Sequence, residues 1–342
     1  MIRPTRRALV TMATAFSCAA VLTLAGCNSS GNETAGTTTA SGSAPTAAPK
    51  SEMPTKLTMG FVPSVEADKI ADDAQPVADY LTKELGIPVT NYTSTDYVGL
   101  VEAMSSGRVD IGALPPLAYV LAKDKGAAEV ILKASRKGKL TYRSMFVVKA
   151  DSGIKTLADA KGKRMAFVEP ASTSGYLFPA ALLKRQGNDP EKYFSQLTFA
   201  GSHDKAAMAV YNGDVDIASV FEDVRNSLEK TTPDIKQKVI PIAYSDEIPN
   251  DTFSVRPGLP QELKDKIKKA LLAFSKTPDG LKVMKAIDDT DGMTEVQDSD
   301  YDPVREVARS MGVSLEMFKK DKKAASSPAA PSPSAAPAMP KP

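Results

Sequence analysis

Between residues 55 and 320 the apolar positions fall into short runs that alternate with longer segments of helical character. A strand-like run at 57–62 precedes a helical segment at 70–85, a short strand at 89–92 and a second helical segment at 97–106. The same order returns at 164–168, 176–186, 197–200 and 203–212. Gly107 and Gly213 stop the second helical segment of each set. Just beyond each stands one triplet, Val109-Asp110-Ile111 and Val215-Asp216-Ile217, which reads as a buried strand start. Leu57 and Asp110 are 53 positions apart, Arg164 and Asp216 are 52. Strand and helix in alternation predict βαβ units on a parallel sheet, and their repetition predicts two similar lobes. The competing reading is one larger α/β domain with a chance repeat.

The joins carry further information. Strand-like runs at 145–149 and 239–243 flank the second set, and helical segments at 261–274 and 302–311 follow. If that last part packs on the first lobe, the chain crosses between lobes twice, which makes a two-strand hinge with a ligand cleft. The expected lobes are 55–148 plus 244–320, and 149–243.

The ends differ from this body. Arg3, Arg6 and Arg7 precede an apolar run at 8–25 that closes on Leu24-Ala25-Gly26-Cys27. A short apolar run behind a basic start is a secretory signal, too short and wrongly flanked for a membrane span. A Cys directly behind two small residues resembles the bacterial lipobox. Residues 1–26 are then a lipoprotein signal peptide, and Cys27 is the lipidated new N-terminus. An ordinary secretion signal with an incidental Cys is the alternative, and Arg6-Arg7 admits a twin-arginine route. Residues 27–54 and 321–342 are rich in Ser, Thr, Ala, Gly and Pro and read as a disordered tether and tail.

Composition removes several classes of chemistry. Lys and Arg number 43 against 41 Asp and Glu, so no strong field points to nucleic acid. Of the 2 cysteines, Cys18 lies in the signal and Cys27 at the lipid site, which leaves no thiol chemistry or disulfide in the mature chain. With 1 histidine, a transition-metal centre is poorly served and no cofactor is expected.

The main candidate for chemistry is Glu169-Pro170-Ala171-Ser172-Thr173-Ser174-Gly175-Tyr176, between a strand and a helix. Ligands of open α/β sheets sit at strand carboxyl ends, and helix starts offer free N–H groups with partial positive charge. Ser172, Thr173 and Ser174 add hydroxyl donors, which makes an anion cup without a basic side chain. A plain helix cap is the alternative. No Lys follows the Gly, so this is not a Walker A loop, and the spacing is not that of a nucleophile elbow. Tyr97 and His203 each stand ten positions before the helix-stopping glycine of their set, and are expected to face each other across the cleft. Imidazole can donate to an oxyanion and, protonated, adds charge. Glu222-Asp223 follows the second V-D-I strand, and Asp251 lies in Ile248-Pro249-Asn250-Asp251. Near an anion these acids suit a ligand carrying a proton or an amine; the alternative is solvated loop or cap residues.

At these residues the chain resembles the phosphate/phosphite/phosphonate-binding family of ABC-importer solute-binding proteins. Thr95-Asp96-Tyr97, Pro115-Pro116-Leu117-Ala118-Tyr119, Ser172-Thr173-Ser174-Gly175, Gly201-Ser202-His203-Asp204 and Ile248-Pro249-Asn250-Asp251 carry the resemblance. It implies a type II periplasmic-binding-protein fold: two α/β lobes, each a mainly parallel sheet flanked by helices. It implies that Tyr97, Ser172, Thr173, Ser174 and His203 hold the phosphorus oxygens, and that Tyr142 is a second cleft tyrosine. By the same resemblance, acids matching Asp223 and Asp251 meet an amine in aminophosphonate binders, with the register at Glu222 open by one. The implied protein is a monomer tethered to the membrane through Cys27. It captures a small phosphorus oxyanion for the permease subunits of an ABC importer. An oxyanion sensor feeding a membrane kinase and a phosphoester hydrolase using Ser172 or Ser174 with His203 are the alternatives.

Overall fold

The structure, a computed structural model, describes residues 52–318 with the exception of residue 223. The expected signal segment, Cys27, the tether up to residue 51, the tail and Asp223 lie outside the described residues. The strands are β1 (Leu57–Phe61), β2 (Val89–Thr93), β3 (Ile111–Leu114), β4 (Glu129–Ser135), β5 (Thr141–Lys149) and β6 (Arg164–Phe167). They continue with β7 (Gln196–Phe199), β8 (Ile217–Phe221), β9 (Val239–Pro249), β10 (Thr252–Val255) and β11 (Gly292–Thr294).

Two sheets result, ordered β11-β4-β10-β3-β1-β2 and β7-β6-β8-β5-β9. Each contains the expected parallel core of three strands, β2-β1-β3 and β7-β6-β8. Each core is extended by antiparallel strands, so both sheets are mixed. The antiparallel neighbour of β3 is β10 and that of β8 is β5. The first lobe thus takes β10 and β11 from beyond the second crossing, whereas the strands of the second lobe are continuous in the chain.

The sequence repeat has a physical basis in its aspartates. The Thr58 amide donates to Asp110 Oδ2 at 2.8 Å, and the Arg164 amide donates to Asp216 Oδ2 at 2.8 Å. The backbone returns the bond: the Asp110 amide donates to the Thr58 carbonyl (2.9 Å) and the Asp216 amide to the Arg164 carbonyl (3.0 Å). Each aspartate therefore ties the start of a lobe's first strand to the start of its third. Between them, the helix Ala67–Leu85 turns Ile70, Ala74, Val77, Ala78 and Leu81 onto the first sheet, spaced as one helical face.

The lobe limits differ from those read in the sequence. β5 and β9 lie wholly in the second sheet, so the chain passes between sheets at 136–140 and 250–251 rather than at 148–149 and 243–244. A run such as Met145–Val148 reports that a strand is buried, while the sheet that buries it depends on pairing with β8. The final helix Asp302–Met311 also differs from expectation. It packs on the helix Pro116–Asp124 of the first lobe and also on Thr173–Leu177 and Phe178–Arg185 of the second.

One side chain bolts the crossings together. Asn250 is fully buried, and its Nδ2 donates to the Ala134 carbonyl (3.1 Å) and the Lys139 carbonyl (2.9 Å). Tyr301 Oη donates to the Asn250 carbonyl at 2.9 Å. Removing the amide leaves the buried Ala134 carbonyl and the partly buried Lys139 carbonyl without these donors. Asn250→Ala is expected to lower folding stability by about 1–3 kcal/mol, read from the midpoint of urea unfolding; an unchanged midpoint would refute this role.

Candidate functional site

Tyr97 and His203 begin matching helices, Tyr97–Ser105 and His203–Asn212. Before each, one residue is extended, Asp96 (φ −155°) and Ser202 (φ −151°). The Ser94 amide donates to the Phe61 carbonyl (3.0 Å) and the Ala200 amide to the Phe167 carbonyl (2.8 Å). Both turns are therefore tied to the end of their lobe's first strand.

The Ser-Thr-Ser segment follows β6. Ser172 Oγ accepts from the Gly175 amide at 3.1 Å, and the Tyr176 and Leu177 amides both donate to the Ser172 carbonyl (3.2 and 3.0 Å). The second of these spans five residues, so the first turn, Thr173–Leu177, is wider than an α-turn. Gly175 permits the turn to lie on the strand: a Cβ there would stand 2.4 Å from Val168 Cβ. Its carbonyl accepts from Ser219 Oγ at 2.8 Å.

Hydrogen bonds cross the cleft beside these helix starts. The Leu117 amide donates to Thr173 Oγ1 (2.9 Å), the Tyr97 amide to Glu169 Oε2 (3.0 Å) and the His203 amide to the Ser64 carbonyl (3.0 Å). The lobes are closed on one another. Between them lies a cavity of about 40 Å³. At about 10–15 Å³ per water on this measure, it holds a group of three or so waters or one small tetrahedral ion.

Of the residues singled out in the sequence, Tyr97, Tyr142, Ser172, Thr173, Ser174, His203 and Asp251 line this one cavity. Glu222 does not. It is partly exposed, its Oε2 lies 3.5 Å from Arg143 Nη2, and its Oε1 accepts from the Arg143 amide (3.2 Å). Asp223 lies outside the described residues.

His203 departs from its expected chemistry. Burial, and secondly the Arg136 charge, push its pKa down from 6.5 to about 3. It is neutral at physiological pH rather than cationic. Nδ1 accepts from the Phe221 amide at 3.1 Å, which puts the ring proton on Nε2, 3.5 Å from Ser172 Oγ.

Arg136 was not legible in the sequence. It sits in the basic run Arg136-Lys137-Gly138-Lys139, which reads as a solvated turn. Lys137 (φ 52°) and Gly138 (φ 71°) do form that turn, closed by a backbone pair between Arg136 and Lys139. The Arg136 side chain nevertheless points inward. It is 6% exposed, its Nη2 lies 2.7 Å from Asp251 Oδ2, and its guanidinium stands 5.2 Å from the Tyr142 ring centre. Ser64 was also missed as a cavity residue; its carbonyl accepts from the His203 amide. Among the described residues, no group of three or more His, Cys, Asp or Glu could hold a metal.

Two α/β lobes with a pair of crossings, closed on a small cavity, define a solute-binding protein of the type II fold. The family of periplasmic substrate-binding proteins of phosphonate ABC transporters matches residues 59–301, and the chain belongs to it. It is 32% identical over 321 residues to the phosphate-import protein PhnD of Mycolicibacterium smegmatis, covering 88% of this chain and 96% of that protein. It is 28% identical over 236 residues to the phosphonates-binding periplasmic protein of Escherichia coli, covering 68% and 70%. A binding-protein component of a Pseudomonas aeruginosa ABC phosphonate transporter superposes with a TM-score of 0.69 at 25% identity, covering 80% of this chain and 89% of that one. Members of the family are extracytoplasmic substrate-binding proteins whose partners are a small ligand and a permease.

Two outcomes test the site. Thr173→Ala removes a hydroxyl that both bridges the lobes and faces the cavity, and should weaken ligand binding by about 1–3 kcal/mol; unchanged affinity by calorimetry would reduce Thr173 to a structural cap. The unfolded chain protonates its histidine near pH 6.5 and the folded chain near pH 3. Between those values the unfolded state holds more protons, so stability falls as the pH drops, by up to about 1.4 kcal/mol per pH unit. His203→Gln removes that contribution. Urea unfolding from pH 6.5 to 4 should show the wild type losing stability faster than the variant, and parallel curves would refute a neutral His203.

Proposed function

We propose that this protein captures a small tetrahedral phosphorus oxyanion, of the size of phosphate, phosphite or methylphosphonate, and delivers it to an ABC permease. It works outside the cytoplasmic membrane as a monomer, held there by lipid on Cys27. What carries the reading is the direction of the hydrogen bonds around the cavity. Ser172 Oγ, Thr173 Oγ1 and His203 Nδ1 each accept from a backbone amide. The two hydroxyl protons and the imidazole proton on Nε2 remain to be donated, so the cavity asks for a ligand that accepts. The start of the continuous helical stretch 173–185 adds free amide groups and a positive partial charge at the same place. The cavity volume favours a phosphate-sized ion, as does the relative named for phosphate import.

The tautomer of His203 supports capture without turnover at Ser172. A hydrolase would need an unprotonated nitrogen facing Ser172, and the nitrogen on that side carries the proton. Closure brings Ser64, Tyr97 and Leu117 of one lobe against His203, Glu169 and Thr173 of the other. The closed surface is the one a permease would recognise. Calorimetry of the mature chain with phosphate, phosphite and methylphosphonate tests the reading: heat of binding from at least one is expected, and none from all three would sink it.

A further inference from the structure

Among the described residues that line the cavity, Arg136 is the one cation and Asp251 the one carboxylate. Taken alone, a carboxylate on the wall of an anion site repels the ligand, unless the ligand brings an ammonium group to it. Taken alone, an arginine there draws anions of any shape. The two are joined instead: Arg136 Nη2 stands 2.7 Å from Asp251 Oδ2, with 6% and 16% of the side chains exposed. Two aromatic rings of the cavity wall, Tyr142 at 5.2 Å and Phe221 at 5.6 Å from the guanidinium carbon, keep the cation in place.

Resting on the reading of this cavity as an oxyanion site, we infer that Arg136 is its specificity-determining residue. By engaging Asp251 it closes the wall that, among the described residues, could accept an ammonium group, and so excludes ligands with a cationic substituent. Discrimination of this kind works through an unfavourable contact as much as a favourable one. An ammonium group entering here meets the guanidinium in a water-poor space, where like charges are weakly screened. An uncharged substituent on the phosphorus meets no such opposition, and the pair is already balanced, so the buried charges do not depend on ligand for compensation. Both residues also lie on the two interlobe crossings, and the alternative is that the pair only braces the hinge.

Calorimetry with phosphate and 2-aminoethylphosphonate separates these roles. The wild-type protein should bind phosphate at least about 100-fold more tightly than 2-aminoethylphosphonate. Arg136→Ala leaves Asp251 facing the cavity and should narrow that ratio by about tenfold or more, through a gain in affinity for 2-aminoethylphosphonate. The double variant Arg136→Ala with Asp251→Asn should lose the gain. A brace alone cannot produce a gain: equal weakening of both ligands in Arg136→Ala, or a wild-type preference within about tenfold, overturns the inference. Should Arg136→Ala fail to fold, Arg136→Gln keeps a neutral donor to Asp251 and should shift the ratio in the same direction; an unshifted ratio is refutation. Phosphate binding by the wild type without the predicted ratio defeats this inference alone, whereas no binding of phosphate, phosphite or methylphosphonate defeats the function itself.

Discussion

A cavity that is to hold an anion must present protons, and in this protein backbone amides impose that polarity. The amides of Gly175, Leu117 and Phe221 take a lone pair from Ser172, Thr173 and His203 in turn. Hydroxyl and imidazole groups have no fixed direction of their own, since each can donate or accept. Once a rigid amide claims the accepting side, the proton faces the cavity. The rest of the architecture serves these three amides. Gly175 is set by its turn against β6, Phe221 by the end of β8, and Leu117 by a helix of the opposite lobe. Because the last comes from the other lobe, the site is complete only when the cleft is closed.

The same economy of charge runs through the surroundings. His203 is buried deeply enough to stay neutral, so it donates without a counter-ion. Among the described residues, the formal charges that face the cavity, on Arg136 and Asp251, are joined to each other. A buried pair of this kind contributes little net stability, because desolvation offsets attraction. Its value lies in what it admits and what it turns away. The position of the pair on the two crossings, beside the bolt formed by Asn250, places it where the lobes meet in chain order as well as in space.

Sequence alone determined the elements and their repetition. Helix 203–212 begins and ends where the pattern placed it, and the two V-D-I triplets mark equivalent points because their aspartates clamp equivalent strands. These features are local: a glycine stop, a run of buried positions, a carboxylate one strand away. The cup at Ser172, Thr173 and Ser174 was legible for the same reason, as consecutive hydroxyls at a helix start. Only the tertiary structure decided the partners. Which sheet receives β5 and β9, and which lobe the last helix covers, depend on contacts between segments far apart in the chain. Glu222 faces outward to Arg143, while Arg136 turns inward from a basic turn that composition assigns to water. The charge state of His203 follows from burial by both lobes. A pattern of residue types records how much of a segment is buried; against what it is buried, and with which charge beside it, is settled when the chain folds.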